Sequence, residues 1–187
     1  MKHYQKNRTE DWRMCMNPVS CGNCRELIVS AVRTEGARHR RNRQPCEDVI
    51  WMRTTRDYLF CGLADGQSGT KYGPEGGRIC LEAVADYIDS AGIAAILEAP
   101  FPDELPCAMV KAFRRQLLSF AQSSAVSRKE LASTLLAVAV ERKTGNYVLL
   151  HLGDGYAVSV PQAGDPVLIS APENGVASYH TWLTTSD

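Results

Sequence analysis

Two stretches of helical period stand back to back in the middle of this chain, with strand-like runs on both sides of them. From Pro74-Glu75 onward Ile79, Leu81, Val84, Tyr87, Ile88 and Ile93 recur at helical spacing. A proline-rich break at Pro100, Pro102 and Pro106 separates them from a second helical face made of Met109, Val110, Phe113, Leu117, Phe120 and Ala121. Upstream, "LIVSAVR" (27–33), "DVIWMR" (48–53) and "YLFCGLAD" (58–65) read as strands, the last two joined by a hairpin-length connection. Residues 34–45 between the first two read as a basic loop. Downstream, "ASTLLAVAVE" (132–141), "NYVLLHLGD" (146–154) and "YAVSV" (156–160) return to strand character, with a further short strand expected at 166–169. Strands, an antiparallel helix pair and strands again predict an α+β fold with hairpin-connected, mainly antiparallel sheet.

The 187 residues, 44% hydrophobic and 22% charged, suit one domain. Residues 1–25 are polar and without sustained period, so the expectation is an N-terminal extension followed by one domain over 26–187. Lys+Arg and Asp+Glu are equal at 21 each, so no overall field draws nucleic acid or an anionic membrane. With no apolar run of membrane length and no apolar leader, a cytoplasmic location is expected. The seven cysteines are an odd count, several of them in apolar segments, which favours reduced thiols over a disulfide frame.

The chemistry gathers where predicted strands meet carboxylates. The strand over 58–64 runs into Asp65-Gly66, the strand over 146–152 into Gly153-Asp154-Gly155, and Glu47-Asp48 open a third. Carboxylates close to a core call for a cation, and a hard metal ion ligated by oxygen is the common solution, against the plainer reading of ordinary turn aspartates. The glycine-rich stretch after Asp65 does not fit a nucleotide device: neither G-x-x-x-x-G-K-[ST] nor G-x-G-x-x-G occurs in it.

At these residues the sequence resembles the metal-dependent PP2C (PPM) protein Ser/Thr phosphatases. The resemblance runs from about Leu27 to the last residue. It rests on Arg43-x-x-x-Glu47-Asp48, on Ala64-Asp65-Gly66-x-x-Gly69 followed by a helix, on Ser133-Thr134-Leu135 opening a later strand, and on Gly153-Asp154. It implies an α-β-β-α sandwich of antiparallel sheets flanked by helix pairs, with two Mn²⁺ or Mg²⁺ ions between the sheets. The aspartate matching Asp65 then bridges the metals, the Gly66 carbonyl is a ligand, Glu47 and Asp48 hold the site directly or through waters, and Asp154 belongs to a third, weaker metal. Arg43 would hold the substrate phosphate. A metal-activated water attacking phosphorus in line needs no protein nucleophile. A phosphoprotein is the implied substrate.

Several departures stand beside the match. Gln67 takes a position where many relatives carry histidine, and Gly155-Tyr156 replace Ser-Arg. The later D-G motif and the near-terminal aspartate are not found, so the expectation is a fold lacking its C-terminal part, with an apolar edge covered by a protein partner or by self-association. The rival is a catalytically inactive relative serving as a regulatory or protein-binding module. A third reading takes Cys15, Cys21 and Cys24 as zinc ligands and Arg38, Arg40, Arg41 and Arg43 as a nucleic-acid contact; a lone C-x-x-C and uninterrupted basic residues favour reduced thiols and a solvated loop. His151, in an apolar run, reads as a packed core histidine rather than a ligand, and His3 and His180 have no partner in the sequence.

Overall fold

The structure is a computed structural model and describes residues 12–15, 27–99, 104–172 and 181–186. Its centre is a four-stranded antiparallel sheet in the order β3-β4-β5-β6, formed by Asp48–Thr54, Tyr58–Asp65, Leu135–Glu141 and Tyr147–Leu152. Two-stranded pairs flank it: β1 (Trp12–Cys15) with β2 (Ser30–Arg33), and β7 (Ala157–Ser159) with β8 (Val167–Ser170). The expected mixture of helices and antiparallel sheet is present. Among the described residues the remaining strands form two two-stranded pairs.

One face of the central sheet is dry. Phe60, Ala64, Leu135, Ala137 and Ala139 point from it onto α2 (Gly73–Ala91) and α4 (Glu104–Ser123), meeting Leu81, Val84, Ile88, Met109, Phe113 and Leu117. Trp51 adds an edge-on ring contact with Phe60 at 5.5 Å. Residues 79–86 of α2 share a groove with residues 116–123 of α4, and residues 83–90 share one with 112–116, so the two helices run antiparallel as expected. The opposite face carries Ile50, Leu63, Leu136 and His151 in one cross-strand row, with Leu63 exposed.

Four elements differ from the sequence reading. The basic stretch holds a six-residue helix, α1 (Ala37–Asn42), too short to show a period. The first strand covers only Ser30–Arg33 of the run from Leu27. Ile93 opens a separate helix, α3 (Ile93–Leu97), because Gly92 at φ +81° ends α2 and turns the chain. Pro106 lies inside the first turn of α4, where a missing N–H costs no intrahelical bond. Cys21, Cys24, His3 and His180 lie outside the described residues, and of Cys15 only the backbone is described.

Candidate functional site

Antiparallel pairing brings the sequence motifs to one edge. In the order β3-β4-β5-β6, the beginnings of β3 and β5 and the ends of β4 and β6 fall on the same side of the sheet. Glu47-Asp48 enter β3 there, Asp65-Gly66 leave β4, Ser133-Thr134 precede β5 and Gly153-Asp154 follow β6. Asp48 and Asp65 are direct cross-strand partners. A cavity of about 370 Å³ opens beside them, and Arg33, Asp48, Asp65, Thr134, His151 and Asp154 are among the residues that line it.

The backbone around Asp65 is fixed from both sides. Its N–H donates to Thr134 Oγ1 at 2.9 Å, and its carbonyl accepts from the Thr134 N–H at 2.9 Å. Gly66 donates its N–H to the Glu47 carbonyl at 3.1 Å, while its own carbonyl accepts no hydrogen bond from the described residues. Gly66 is also required by packing: a Cβ there would lie 2.8 Å from the Gly73 carbonyl carbon and the Pro74 nitrogen, where α2 begins.

Two of the acidic side chains at the mouth have a donor beside them. Cys46 donates its thiol hydrogen to Asp48 Oδ2 at 3.4 Å. Burial raises the pKa of that thiol, with the Asp48 charge adding to the rise, so it stays a protonated donor. Ser68 Oγ donates to Glu47 Oε2 at 3.3 Å, and His39 Nε2 stands 3.8 Å from the same oxygen. Asp65 is pushed up to about 6, first by desolvation and then by the charges of Asp48 and Asp154, the hydrogen bond with Asp48 and the charge of Glu47. Four carboxylates therefore repel one another across this edge.

The donors present suit a hard, oxygen-seeking divalent ion: two adjacent carboxylates, a third across the cavity and an unengaged backbone carbonyl. Among the described residues no three His, Cys, Asp or Glu side chains come together closely enough to hold a metal. An ion at this edge would therefore keep much of its water, the habit of Mg²⁺ bound through one or two carboxylates. Asp48 and Asp65 would hold it, and the Gly66 carbonyl offers a further oxygen.

Not every residue singled out in the sequence reaches the cavity. Arg43 ends α1 in the left-handed conformation at φ 53°, is exposed, and is not among the lining residues. Arg33 is among them, a residue that no motif in the sequence marks. His151 is half-buried on the cavity side of β6, away from the helix-covered core; Nδ1 meets Ser170 Oγ at 2.7 Å and buried Nε2 has no partner among the described residues. The exposed Gln67 is held through its main chain, donating to the Ala132 carbonyl at 2.9 Å. Behind the edge, Ser133 and Thr184 are buried together: the Thr184 N–H donates to the Ser133 carbonyl at 2.9 Å, and the Ser133 N–H to Thr184 Oγ1 at 3.2 Å.

Comparison with protein families gives one match, to the family described as Protein phosphatase 2C, over residues 35–187. The match covers the central sheet, all four helices and every acidic residue of the edge. Searches of curated proteins and of solved structures return no significant match.

Proposed function

The chain belongs to the protein phosphatase 2C family, and on that premise we propose that it hydrolyses phosphate monoesters of serine and threonine in proteins with Mn²⁺ or Mg²⁺. The observation that carries this reading is the gathering of Asp48, Asp65 and Asp154 around one cavity at one sheet edge. A divalent ion bound there supplies charge that activates water and neutralises the phosphoryl oxygens. The chain's own part is positioning. Thr134 fixes the main chain of Asp65 at both its N–H and its carbonyl. Cys46 orients Asp48, and Ser68 orients Glu47. Held this way, the carboxylates enter a folded site with little freedom left to lose on binding.

Relief of repulsion supports the same reading. The charges that raise Asp65 are the ones a cation would offset, so bound metal and folded protein stabilise each other. Asp154 is assigned to a weaker, outer ion, and Glu47 to contact through water. The family's substrates are phosphoproteins, and among the described residues no helix is long and apolar enough to cross a membrane. The test is hydrolysis of p-nitrophenyl phosphate and of a phosphothreonine peptide by the purified chain. Turnover dependent on Mn²⁺ and abolished by chelator and by Asp65→Asn is expected. No turnover at saturating Mn²⁺ would support the inactive, partner-binding alternative, and turnover fully retained in chelator would exclude the metal mechanism.

A further inference from the structure

Where β6 leaves the central sheet, another segment takes its place. β5 and β6 are paired as far as Leu135 and Leu152, and the same register continued would set Ser133 against Asp154. Gly153, at φ +124°, turns the chain first, and Asp154 stands instead in the wall of the cavity. Ser133 is bridged to Gly66, and the two hydrogen bonds of that bridge come from its neighbours, Thr134 N–H to the Asp65 carbonyl and Gln67 N–H to the Ala132 carbonyl, each 2.9 Å. The N–H and carbonyl of Ser133 itself therefore point away from β4, toward the place that β6 has left. Both go to Thr184: its N–H donates to the Ser133 carbonyl at 2.9 Å, and its Oγ1 accepts from the Ser133 N–H at 3.2 Å. Both residues are buried, so the Ser133 N–H depends on that hydroxyl. The segment that carries Thr184 is closed by a turn, with Ser186 N–H on the Leu183 carbonyl at 2.9 Å, and is tied to α4 by Arg114 Nη2, which donates to the Ser186 carbonyl.

We infer that Thr184 is a positioning residue for the cation edge. By taking the bonds that β6 gives up, it holds residues 132–134 against Asp65 and Gly66 and leaves Asp154 outside the sheet, facing the cavity. The inference rests on the cation-site reading and adds to that site a residue that touches none of its carboxylates. Thr134, the clamp on the Asp65 main chain, keeps its place because Ser133 beside it is bonded on both sides.

The experiment compares wild type with Thr184→Ser, which keeps the acceptor, and with Thr184→Val and Thr184→Ala, which remove it. Ile88→Ala serves as control: it loosens the core on α2 beside the turn that meets the Tyr58 end of β4, away from this edge. Circular dichroism establishes that each variant is folded at the temperature used. Free Mn²⁺ is followed by electron paramagnetic resonance during titration. Thr184→Val and Thr184→Ala should bind Mn²⁺ about tenfold more weakly, the lower end of the loss for groups that orient metal ligands. Thr184→Ser and Ile88→Ala should stay close to wild type. Wild-type affinity in the variants without the hydroxyl, or an equal loss in Ile88→Ala, overturns the inference. Amide hydrogen exchange in chelator supplies a reading that needs no metal. The Thr134 amide should exchange faster, relative to the Cys61 amide at the centre of β4, when the Thr184 hydroxyl is absent, and unchanged relative protection also overturns the inference. No Mn²⁺ uptake by wild type would instead remove the cation-site reading, and the exchange data would still decide whether Thr184 holds this edge.

Discussion

Asp65 holds its proton to about pH 6 in the folded chain, above the ordinary aspartate value. A folded-state pKa raised in this way adds stability below about pH 4, where unfolded and folded forms are both protonated, and that contribution is lost as pH rises through about 6. Neutral pH is therefore where metal-free protein carries the repulsion. Asp65→Asn is expected to raise the melting temperature of the metal-free chain at pH 7, with the gain fading toward pH 4. In excess Mn²⁺ the order reverses, because only wild type gains from binding the ion. Thermal melts with and without chelator across that range check both halves. A variant less stable than wild type at pH 7 in chelator would mean that Asp65 has a structural role unrelated to charge. The residue scale also shows what motifs leave out: R-x-x-x-E-D singles out Arg43, and nothing in that spacing marks Arg33, which the β2 end brings to the cavity. That placement depends on strand packing, which spacing within one segment does not encode.

At the scale of elements, the glycines after Asp65 have a role that the sequence leaves open. They look like a pliable rim, yet Gly76 and Gly77 let α2 press against its neighbours: a Cβ at Gly76 would lie 1.9 Å from the Leu131 carbonyl oxygen, and one at Gly77 2.7 Å from the Ala64 Cβ. Gly76→Ala should destabilise the fold by about 1–3 kcal/mol, as overpacking against backbone does, and shift the start of α2 away from Gly66. Urea unfolding measures it; an unchanged midpoint would refute the close packing. Thr184→Val leaves the buried Ser133 N–H without its side-chain acceptor and should cost about 1–3 kcal/mol in the same assay. The strands and helices with long periods are legible in the sequence because burial on one face imposes the period. The rest is not, for local reasons. β1 and α1 have four and six residues, too few for a period. The break between α2 and α3 lies in a single positive-φ glycine. Asp48, Asp65 and Asp154 were legible as candidates because each stands at a strand end, while their meeting at one edge follows from antiparallel order.

The whole molecule divides its tasks between the two sides of one sheet. The helix side holds the dry core, in which Phe113 of α4, 1% exposed, belongs to the same buried cluster as residues of α2 and the strands. Phe113→Ala should cost about 3–5 kcal/mol of stability, read by chemical unfolding, while leaving Mn²⁺ affinity unchanged in the fraction that stays folded. The opposite side and the strand edge hold the cavity, with carboxylates exposed to solvent where an ion can enter. The proposed function makes one statement that can be tested by itself, that this edge is a divalent-cation site organised around Asp65. Electron paramagnetic resonance of free Mn²⁺ during titration of the protein tests that statement most directly. Wild type should take up Mn²⁺, and Asp65→Asn should bind it at least about tenfold more weakly. Equal uptake by the two proteins, or none by wild type, would contradict it.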